Sequence, residues 1–180
     1  MDLALDIDGQ GRARIDTGCG FLDHMLSLLA AHASFDLSVK AQGDIRVDYH
    51  HLTEDVGICL GQALSEALGT KEGISRYGHA LAPMDESLTT VAVDISGRPH
   101  LTFNVPMPAE KVGDFDTELV ADFLQALANR GHLTLHVNLM YGRNAHHIIE
   151  SVFKSFGRAL REAASGDGRT SGVPSTKGML

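Results

Sequence analysis

The chain has 180 residues and a formal net charge of −8 at pH 7, from 15 Lys and Arg against 23 Asp and Glu. Hydrophobic residues make up 43% of it and charged residues 21%, which is typical of a soluble globular domain and excludes a disordered or membrane-spanning chain. The acidic balance disfavours nucleic-acid and anionic-membrane partners, because such surfaces bind basic patches. Ten histidines beside no tryptophan are the unusual part of the composition.

The cysteines and the N-terminus favour a reducing, cytoplasmic location. Cys19 and Cys59 form no CxxC pattern, so neither a disulfide scaffold nor a structural zinc site is predicted. The first residues are acidic and alternating, without the basic start and apolar run of a signal peptide. The longest apolar run, 25–31, is far too short to span a bilayer.

In the first half of the chain, strand patterns alternate with helix patterns. The predicted elements are a β-hairpin of strands 3–7 and 12–15, a helix over 21–33, a strand over 36–41, a partner strand over 45–48 and a helix from about 53 to 68. The hairpin is predicted because Asp8-Gly9-Gln10-Gly11 separates its two alternating segments, and glycine allows the positive φ of a tight turn. Gly69 is expected to end the second helix.

The second half repeats this order after a crossover punctuated by glycine and proline. The predicted elements are strands over 88–95 and 100–105, a helix over 117–130 capped near Asp116, a strand over 132–140 and a helix over 145–164. The tail, 166–180, is rich in Gly, Ser and Thr and is predicted to be a loop.

An internal repeat relates the two halves. The pattern HHxxE at 50–54 recurs at 146–150, and small and apolar residues keep matching at the same offset along both helices. Upstream, 22–26 aligns with 120–124 without a gap. Self-similarity of this kind indicates a duplicated unit.

The repeat predicts an α+β fold made of two tandem units, at about 1–85 and 86–180, within a single domain 1–180. Each unit is expected to be a small mixed sheet with helices packed on one face, which gives two layers.

The paired HHxxE motifs point to metal binding. A glutamate three or four residues after a histidine lies on the same helix face, and imidazole nitrogens with a carboxylate oxygen suit a divalent transition metal. Adjacent histidines point about 100° apart on a helix, so each motif should contribute to two metal sites, within one subunit or across a subunit boundary. The candidate ligands are His50, His51, Glu54, His146, His147 and Glu150, with His24 as a further candidate.

A single HHxxE on an acidic helix is usually a solvated face, but its recurrence at equivalent positions favours a metal site. The remaining histidines are assigned to ordinary structural roles: His32, His79, His100, His132 and His136. Asp48 and Asp55 flank the first motif, either as hydrogen-bond partners of ligand histidines or as charges at the start of a helix.

A second group of candidates is cationic. Arg76, Arg98 and Lys177 each follow a short Gly-, Ser- or Thr-containing segment, where free backbone N–H groups can join the side chain in holding a phosphate. Each residue taken alone is a common solvated cation. No GxxxxGK[ST] run occurs, which excludes a Walker-type phosphate loop.

Five segments in order carry a family resemblance. They are FLDHM at 21–25, DYHHLTED at 48–55, DISGRP at 94–99, NAHHIIE at 144–150 and PSTKG at 174–178. Together they resemble the imidazoleglycerol-phosphate dehydratases of histidine biosynthesis. The resemblance implies a hydro-lyase that removes water from D-erythro-imidazole glycerol phosphate to give imidazole acetol phosphate. It also implies a fold of the ribosomal S5 domain 2 type, two Mn²⁺ ions per active site, and sites at the subunit interfaces of a 24-subunit homo-oligomer.

The resemblance also implies roles for individual residues. Metal ligands would be His24, His50, His51, Glu54, His146, His147 and Glu150, of which His50, Glu54, His146 and Glu150 are also catalytic. Arg76, Arg98, Ser175 and Lys177 would bind the substrate, mainly through its phosphate. Many relatives carry a metal-binding histidine where this chain has Asp122, which can ligate through its carboxylate.

Two alternatives to a dehydratase remain open from the sequence. One is a two-metal phosphoesterase, in which the same cations hold a phosphate ester and water is the nucleophile. The other is a catalytically impaired metal-binding assembly, because the family has an N-terminal segment with a proton-transferring glutamate that would lie just before Met1. We expect a start codon placed too late to be the reason for that difference.

Overall fold

The structure is a computed structural model that describes residues 1–168 and 172–180; the part of the predicted tail at 169–171 lies outside the described residues. The strands are β1 (Asp2–Asp6), β2 (Ala13–Asp16), β3 (Asp36–Lys40), β4 (Tyr77–Met84), β5 (Ser87–Asp94), β6 (His100–Asn104), β7 (Lys111–Val112), β8 (Phe115–Asp116) and β9 (Thr134–Tyr141). The helices are α1 (Gly20–Ala33), α2 (His50–Leu68), α3 (Leu119–Gly131) and α4 (Ala145–Ala164).

The strands form two small mixed sheets and a two-stranded ribbon. In the first sheet β3 lies between β1, to which it is antiparallel, and β2, to which it is parallel. The second sheet has the order β4-β5-β9-β6, and β9 is antiparallel to β5 and parallel to β6. The units β2–α1–β3 and β6–α3–β9 therefore correspond, and the predicted α+β fold of two repeats is confirmed. The boundary near residue 85 stays a prediction.

Glycines let helices from the two halves pack closely. A Cβ added at Gly61 of α2 would lie 2.5 Å from the backbone oxygen of Leu127 on α3, and one added at Gly157 of α4 would lie 2.9 Å from the backbone oxygen of Leu29 on α1. Gly61 and Gly157 are matched residues of the repeat, and so are their two contacts. The α2–α3 and α1–α4 pairs are thus built alike, which fixes where the helix N-termini lie.

The helices bury the apolar core between them. Phe123 of α3 and Phe153 of α4 have ring centroids 5.5 Å apart and are almost fully buried. Burial of apolar side chains such as these is the main contribution to the stability of the fold, at about 25 cal/mol per Å² of apolar surface removed from water. Within the described residues, no helix combines the length and apolar character that crossing a membrane requires.

The predicted hairpin of 3–7 and 12–15 is wrong, although both segments form strands. β3 is inserted between them, and the connecting loop wraps around its first residue. The Asp36 carboxylate accepts the backbone N–H groups of Gln10 at 2.7 Å and Arg12 at 2.9 Å. Gly9 packs directly on the Asp36 backbone, with no room for a Cβ. Here glycine serves a close approach between loop and strand rather than a tight hairpin turn.

The predicted strand 45–48 is also wrong. Residues 45–47 form a turn, and the Val47 side chain is 73% exposed. β3 already has β1 on one edge and β2 on the other, so it offers no free edge to a further strand.

Strand β4 and the strand pair β7–β8 were missed because their patterns are short or built from small residues. The buried face of β4 consists of Gly78, Ala80 and Ala82, since α4 packs too closely for larger side chains; a Cβ at Gly78 would clash with the backbone oxygen of Ala159. Pro83 is tolerated because β4 is an edge strand. The missed pair is the two-residue ribbon β7–β8.

Most helix and strand predictions are confirmed to within a few residues. The largest shift is in α2, which begins at His50 rather than near Thr53, so the whole HHxxE motif lies on the helix. The predicted cap of α3 is wrong: Asp116 belongs to β8 and pairs with Lys111 at 2.8 Å, and the helix begins at Leu119.

Candidate metal centre

Both HHxxE motifs occupy the first turns of their helices. The His50 N–H donates to the Asp48 carboxylate at 2.8 Å, and the His147 N–H donates to the Asn144 side chain at 3.3 Å. These bonds satisfy N–H groups that helix geometry leaves unpaired. Of the two interpretations of Asp48, the structure supports the charge at the helix start.

The α1–α4 pair forms a three-residue cluster around Glu150. Glu150 Oε1 lies 3.0 Å from His24 Nε2 and 3.0 Å from His146 Nε2, and one ligand atom from each residue falls within 4.8 Å of the others. The Phe21 ring packs edge-on against the His146 ring, with centroids 5.3 Å apart. Separations of about 3 Å are those of ligands on one ion with bonds of about 2.1 Å. The two nitrogens and one oxygen therefore fit a divalent transition metal.

Glu150 is buried, with 7% of its surface exposed, yet it is held as a carboxylate. Burial raises its pKa, but hydrogen bonds from Lys154, His24 and His146 outweigh burial and lower the pKa to about 2. The strongest of these contacts is Lys154 Nζ, 2.6 Å from Oε2. Because Lys154 holds Oε2, the other oxygen is the one that faces the histidines.

The equivalent positions on the α2–α3 pair are brought together more loosely. His50 Nδ1 lies 3.5 Å from Asp122 Oδ2, and these two residues match His146 and His24 in the repeat. Among the residues that the structure describes, Glu54 joins no three-ligand cluster. Within one chain, the second set of candidates is thus a pair.

The second histidine of each motif points away from the first. The rings of His50 and His51 are 6.0 Å apart at 74°, and those of His146 and His147 are 6.2 Å apart at 81°. Among the described residues, neither His51 nor His147 joins a ligand cluster with its neighbour, as expected from the angle of about 100° between successive helix residues.

Each outward histidine has its own carboxylate partner. His51 Nδ1 lies 2.9 Å from Asp44 Oδ2, and His147 Nδ1 lies 2.7 Å from Glu86 Oε2. Hydrogen bonds to Asp44 and Glu86 raise the pKa of His51 and of His147, and the bond from His147 is the main cause that lowers the pKa of Glu86 to about 2. Asp44 and Glu86 carry no motif, so sequence reasoning missed them.

The predicted substrate-binding residues lie together at a different end of the molecule. The Arg76 guanidinium donates to the Asp94 carboxylate at 2.7 Å and to the Pro174 carbonyl at 2.9 Å, which pins the tail that carries Ser175 and Lys177. Arg98 follows Gly97, where an added Cβ would clash with the backbone of the C-terminal residue, Leu180. The four predicted residues, Arg76, Arg98, Ser175 and Lys177, are thus gathered by the tail.

The length of α4 separates this cationic end from the metal cluster. The Arg76 N–H donates to the Ala163 carbonyl in the last turn of α4, whereas His146 lies in its first turn. A rise of 1.5 Å per residue places these turns about 25 Å apart. The metal cluster and the cationic end of one chain therefore cannot meet on one small substrate.

The other histidines have varied surroundings. Burial and the nearby cations Lys154, Arg158 and Arg161 lower the pKa of His32. His132 ends α3 with a left-handed backbone, φ 52°. His100 and His136 face each other on neighbouring strands with ring centroids 5.6 Å apart.

Known proteins resemble this chain over most of its length. A family model described as Imidazoleglycerol-phosphate dehydratase matches residues 17–160. The chain belongs to this family. The imidazoleglycerol-phosphate dehydratase of Desulforamulus reducens is 60% identical over 97% of this chain and 89% of its own length. That of Oceanobacillus iheyensis is 56% identical over 100% of this chain and 93% of its own length.

Solved structures of the same family share the fold. The imidazoleglycerol-phosphate dehydratase of Staphylococcus aureus has a TM-score of 0.86 and 47% identity, covering 92% of this chain and 94% of that one. The imidazoleglycerol-phosphate dehydratase of Pyrococcus furiosus, solved in complex with (S)-C348, has a TM-score of 0.85 and 38% identity. The match covers 99% of this chain and 96% of that one. The family resemblance carried by the five segments is confirmed.

Proposed function

We propose that this chain catalyses the metal-dependent dehydration of D-erythro-imidazole glycerol phosphate to imidazole acetol phosphate, a hydro-lyase step of histidine biosynthesis. The observation that carries the proposal is the cluster of His24, His146 and Glu150, with its separations of about 3 Å, in a chain of the imidazoleglycerol-phosphate dehydratase family.

The chemistry of the substrate explains why this cluster is needed. The departing proton has no adjacent carbonyl group to acidify it, so the developing negative charge must pass to the substrate's own imidazole ring. A bound divalent metal would supply the Lewis acidity that stabilises this charge. His24, His146 and Glu150 would hold it, and Lys154 keeps Glu150 ionised for that task.

The full set of proposed site residues follows the repeat. Metal ligands are His24, His50, His51, Glu54, Asp122, His146, His147 and Glu150, with His50, Glu54, His146 and Glu150 at the reacting end of the substrate. The nitrogen and oxygen donors suit manganese, iron, cobalt or zinc, and we propose two Mn²⁺ ions per active site, as in the family. Arg76, Arg98, Ser175 and Lys177 bind the phosphate, so local cations accommodate an anion despite the acidic chain.

We further propose that active sites form between subunits of a cytoplasmic homo-oligomer of 24 chains. Support comes from the separation of about 25 Å between the two ends of α4. A substrate much shorter than this separation needs the metal cluster of one chain and the cations of another, which oligomer symmetry provides.

A product assay tests the proposed reaction. Purified chain supplied with Mn²⁺ is expected to convert imidazole glycerol phosphate to a ketone without releasing phosphate. His146→Ala should lower the rate at least 100-fold, because it removes a metal ligand. His136→Ala, which truncates an exposed histidine of β9, serves as the matched control with an unchanged rate.

Two outcomes would contradict the dehydratase. Release of phosphate without ketone would favour the two-metal phosphoesterase. A Mn²⁺-loaded particle with no turnover would favour the metal-binding assembly.

A further inference from the structure

The two outward histidines, His51 and His147, share one arrangement. In both, a carboxylate oxygen lies within 2.9 Å of Nδ1. An ionised carboxylate only accepts hydrogen bonds, so Nδ1 must carry the proton. In the neutral ring, Nε2 then keeps a free lone pair, the form in which imidazole binds a metal. The contact thus sets both the orientation of the ring and the nitrogen that is available.

The internal repeat does not account for this shared arrangement. The offset that matches His51 with His147 places Met140 opposite Asp44 and leaves Glu86 without a counterpart. Asp44 comes from the loop before α2, whereas Glu86 comes from the turn between β4 and β5. Two unrelated segments thus place a carboxylate beside the same atom, Nδ1, of the two histidines. This indicates that the function of the site requires the contact and that the contact was not copied by the duplication.

Glu86 is itself held in place. Its Oε1 accepts the backbone N–H of Asn144 at 2.9 Å and that of Arg143 at 3.4 Å, while Oε2 faces His147. Glu86 therefore joins the β4–β5 turn to the start of α4 through one oxygen and orients the histidine through the other. On the far side of the ring, His147 Nε2 has Asp85 Oδ2 at 3.9 Å.

Other contacts between a histidine Nδ1 and a carboxylate in the described part of the chain are longer. His79 Nδ1 lies 3.4 Å from Glu162 Oε2, and His50 Nδ1 lies 3.5 Å from Asp122 Oδ2. The short Nδ1 contacts are thus confined to the equivalent histidines of the two motifs.

We propose that Glu86 and Asp44 are positioning residues that fix the rings of His147 and His51 so that Nε2 is presented to the metal. This inference rests on the proposed function, which makes both histidines metal ligands. Glu86 and Asp44 act through the histidines and touch neither metal nor substrate.

Substitution of glutamate by glutamine at position 86 separates the two tasks of that side chain. In Glu86→Gln, the amide oxygen can keep the backbone N–H groups of Asn144 and Arg143 while the amide NH₂ faces His147. An NH₂ group only donates, so the proton of His147 would move to Nε2 and block ligation. Asp44→Asn makes the same change at an exposed carboxylate whose side-chain contact is His51.

The experiment measures Mn²⁺ affinity by titration with electron paramagnetic resonance, together with the free energy of unfolding without metal. Glu86→Gln and Asp44→Asn are each expected to weaken Mn²⁺ binding 10- to 100-fold in a chain that the unfolding measurement shows to be still fully folded under the conditions of the titration. Glu162→Gln is the matched control, since it changes a glutamate beside His79 and should bind Mn²⁺ as the wild type does.

A parallel variant separates this inference from the proposed function. If His147→Ala weakens Mn²⁺ binding but neither Glu86→Gln nor Asp44→Asn does, the positioning role is overturned and the metal assignment stands. If His147→Ala also binds Mn²⁺ as tightly as the wild type, the metal assignment itself is wrong, and the inference falls with it.

Discussion

Glu150 shows how a buried carboxylate is kept charged. Burying an unpaired carboxylate is costly, and here two histidines and Lys154 surround both oxygens. The Lys154 ammonium balances the carboxylate charge of Glu150 while no metal is bound. His24 and His146 both contact the other carboxylate oxygen, Oε1. The same three donors thus stabilise the folded chain and prepare the metal cluster.

Removing this lysine charge should destabilise the metal-free chain. Lys154→Met keeps the length of the side chain but leaves Glu150 without its cation, so we expect a loss of about 2 kcal/mol in the free energy of unfolding. Urea denaturation without metal measures it. Lys111→Met is the matched control, because its pair with Asp116 is exposed and should therefore contribute little to the free energy of unfolding. Equal stability of Lys154→Met and the wild type would contradict this reading of Glu150.

Sequence reasoning reached the residues that the repeat marks and missed those that folding brings in. His146 and Glu150 could be predicted because two HHxxE motifs recur at one offset, and His24 was a further candidate on the first helix, supported by the family resemblance. Glu86 lies 61 residues before His147, in a turn without any motif, so only the approach of the β4–β5 turn to α4 reveals it. A long-range partner of this kind leaves no local signal.

At the scale of elements, the helix contacts depend on glycine. Gly61 and Gly157 hold the two pairs, α2–α3 and α1–α4, in equivalent geometry. These pairs carry the HHxxE motifs, so the glycine contacts also set how closely His24 and His146 approach.

Alanine at these glycines should therefore destabilise the fold. Gly61→Ala places a Cβ 2.5 Å from the Leu127 oxygen, and we expect a loss of about 2 kcal/mol after the gain in helix propensity is counted. Gly157→Ala meets Leu29 at 2.9 Å and should cost about 1 kcal/mol. Gly20→Ala, with nothing within 4 Å, is the control and should be neutral or stabilising. A Gly61→Ala variant as stable as Gly20→Ala would show that the helices separate easily.

The loop around Asp36 makes a second element-scale prediction, on pH. Hydrogen bonds from the backbone N–H groups of Arg12 and Gln10 lower the pKa of Asp36. The Asp36 carboxylate therefore binds a proton more readily in the unfolded chain than in the folded chain. The stabilisation is present above the ordinary carboxyl pKa, near 3.8, and is lost as the pH falls below it. At pH 7 the Asp36→Asn variant should have a lower melting temperature than the wild type, and this gap in melting temperature should narrow towards pH 3.

Melting curves from pH 7 to pH 3 measure this gap. Asp8→Asn, the same change at an exposed residue of the same loop, should show no comparable dependence. A gap that stays constant across this range would mean that the Asp36 carboxylate is not what ties the loop to β3.

Helices were predicted better than strands for a physical reason. Each helix buries a continuous apolar stripe that its own sequence displays, as for Phe153 and Phe156 in α4. Strand order depends on neighbours: segments 3–7 and 12–15 look like a hairpin until β3 enters between them. β4 was not predicted because its buried face consists of glycine and alanine, which lack the large apolar side chains of a typical strand pattern. Only small residues fit there, since α4 packs closely against this face.

At the scale of the whole molecule, the site residues are divided between two ends. The metal cluster lies at the start of α4, and Arg76 with the tail lies at its end, about 25 Å away. The net charge of −8 also makes the cationic end a local exception that favours an anionic group there. A single chain holds two incomplete sites, so activity should belong to the assembly.

Subunit mixing tests this claim most directly. His146→Ala damages the metal end and Lys177→Ala damages the cationic end, so each variant alone should be nearly inactive. After co-assembly at equal amounts, about one site in four would combine an intact metal end with an intact cationic end from a different chain. We predict that ketone formation rises to about a quarter of the wild-type rate. Mixed particles as inactive as either variant, or an active isolated subunit, would contradict an active site shared between chains.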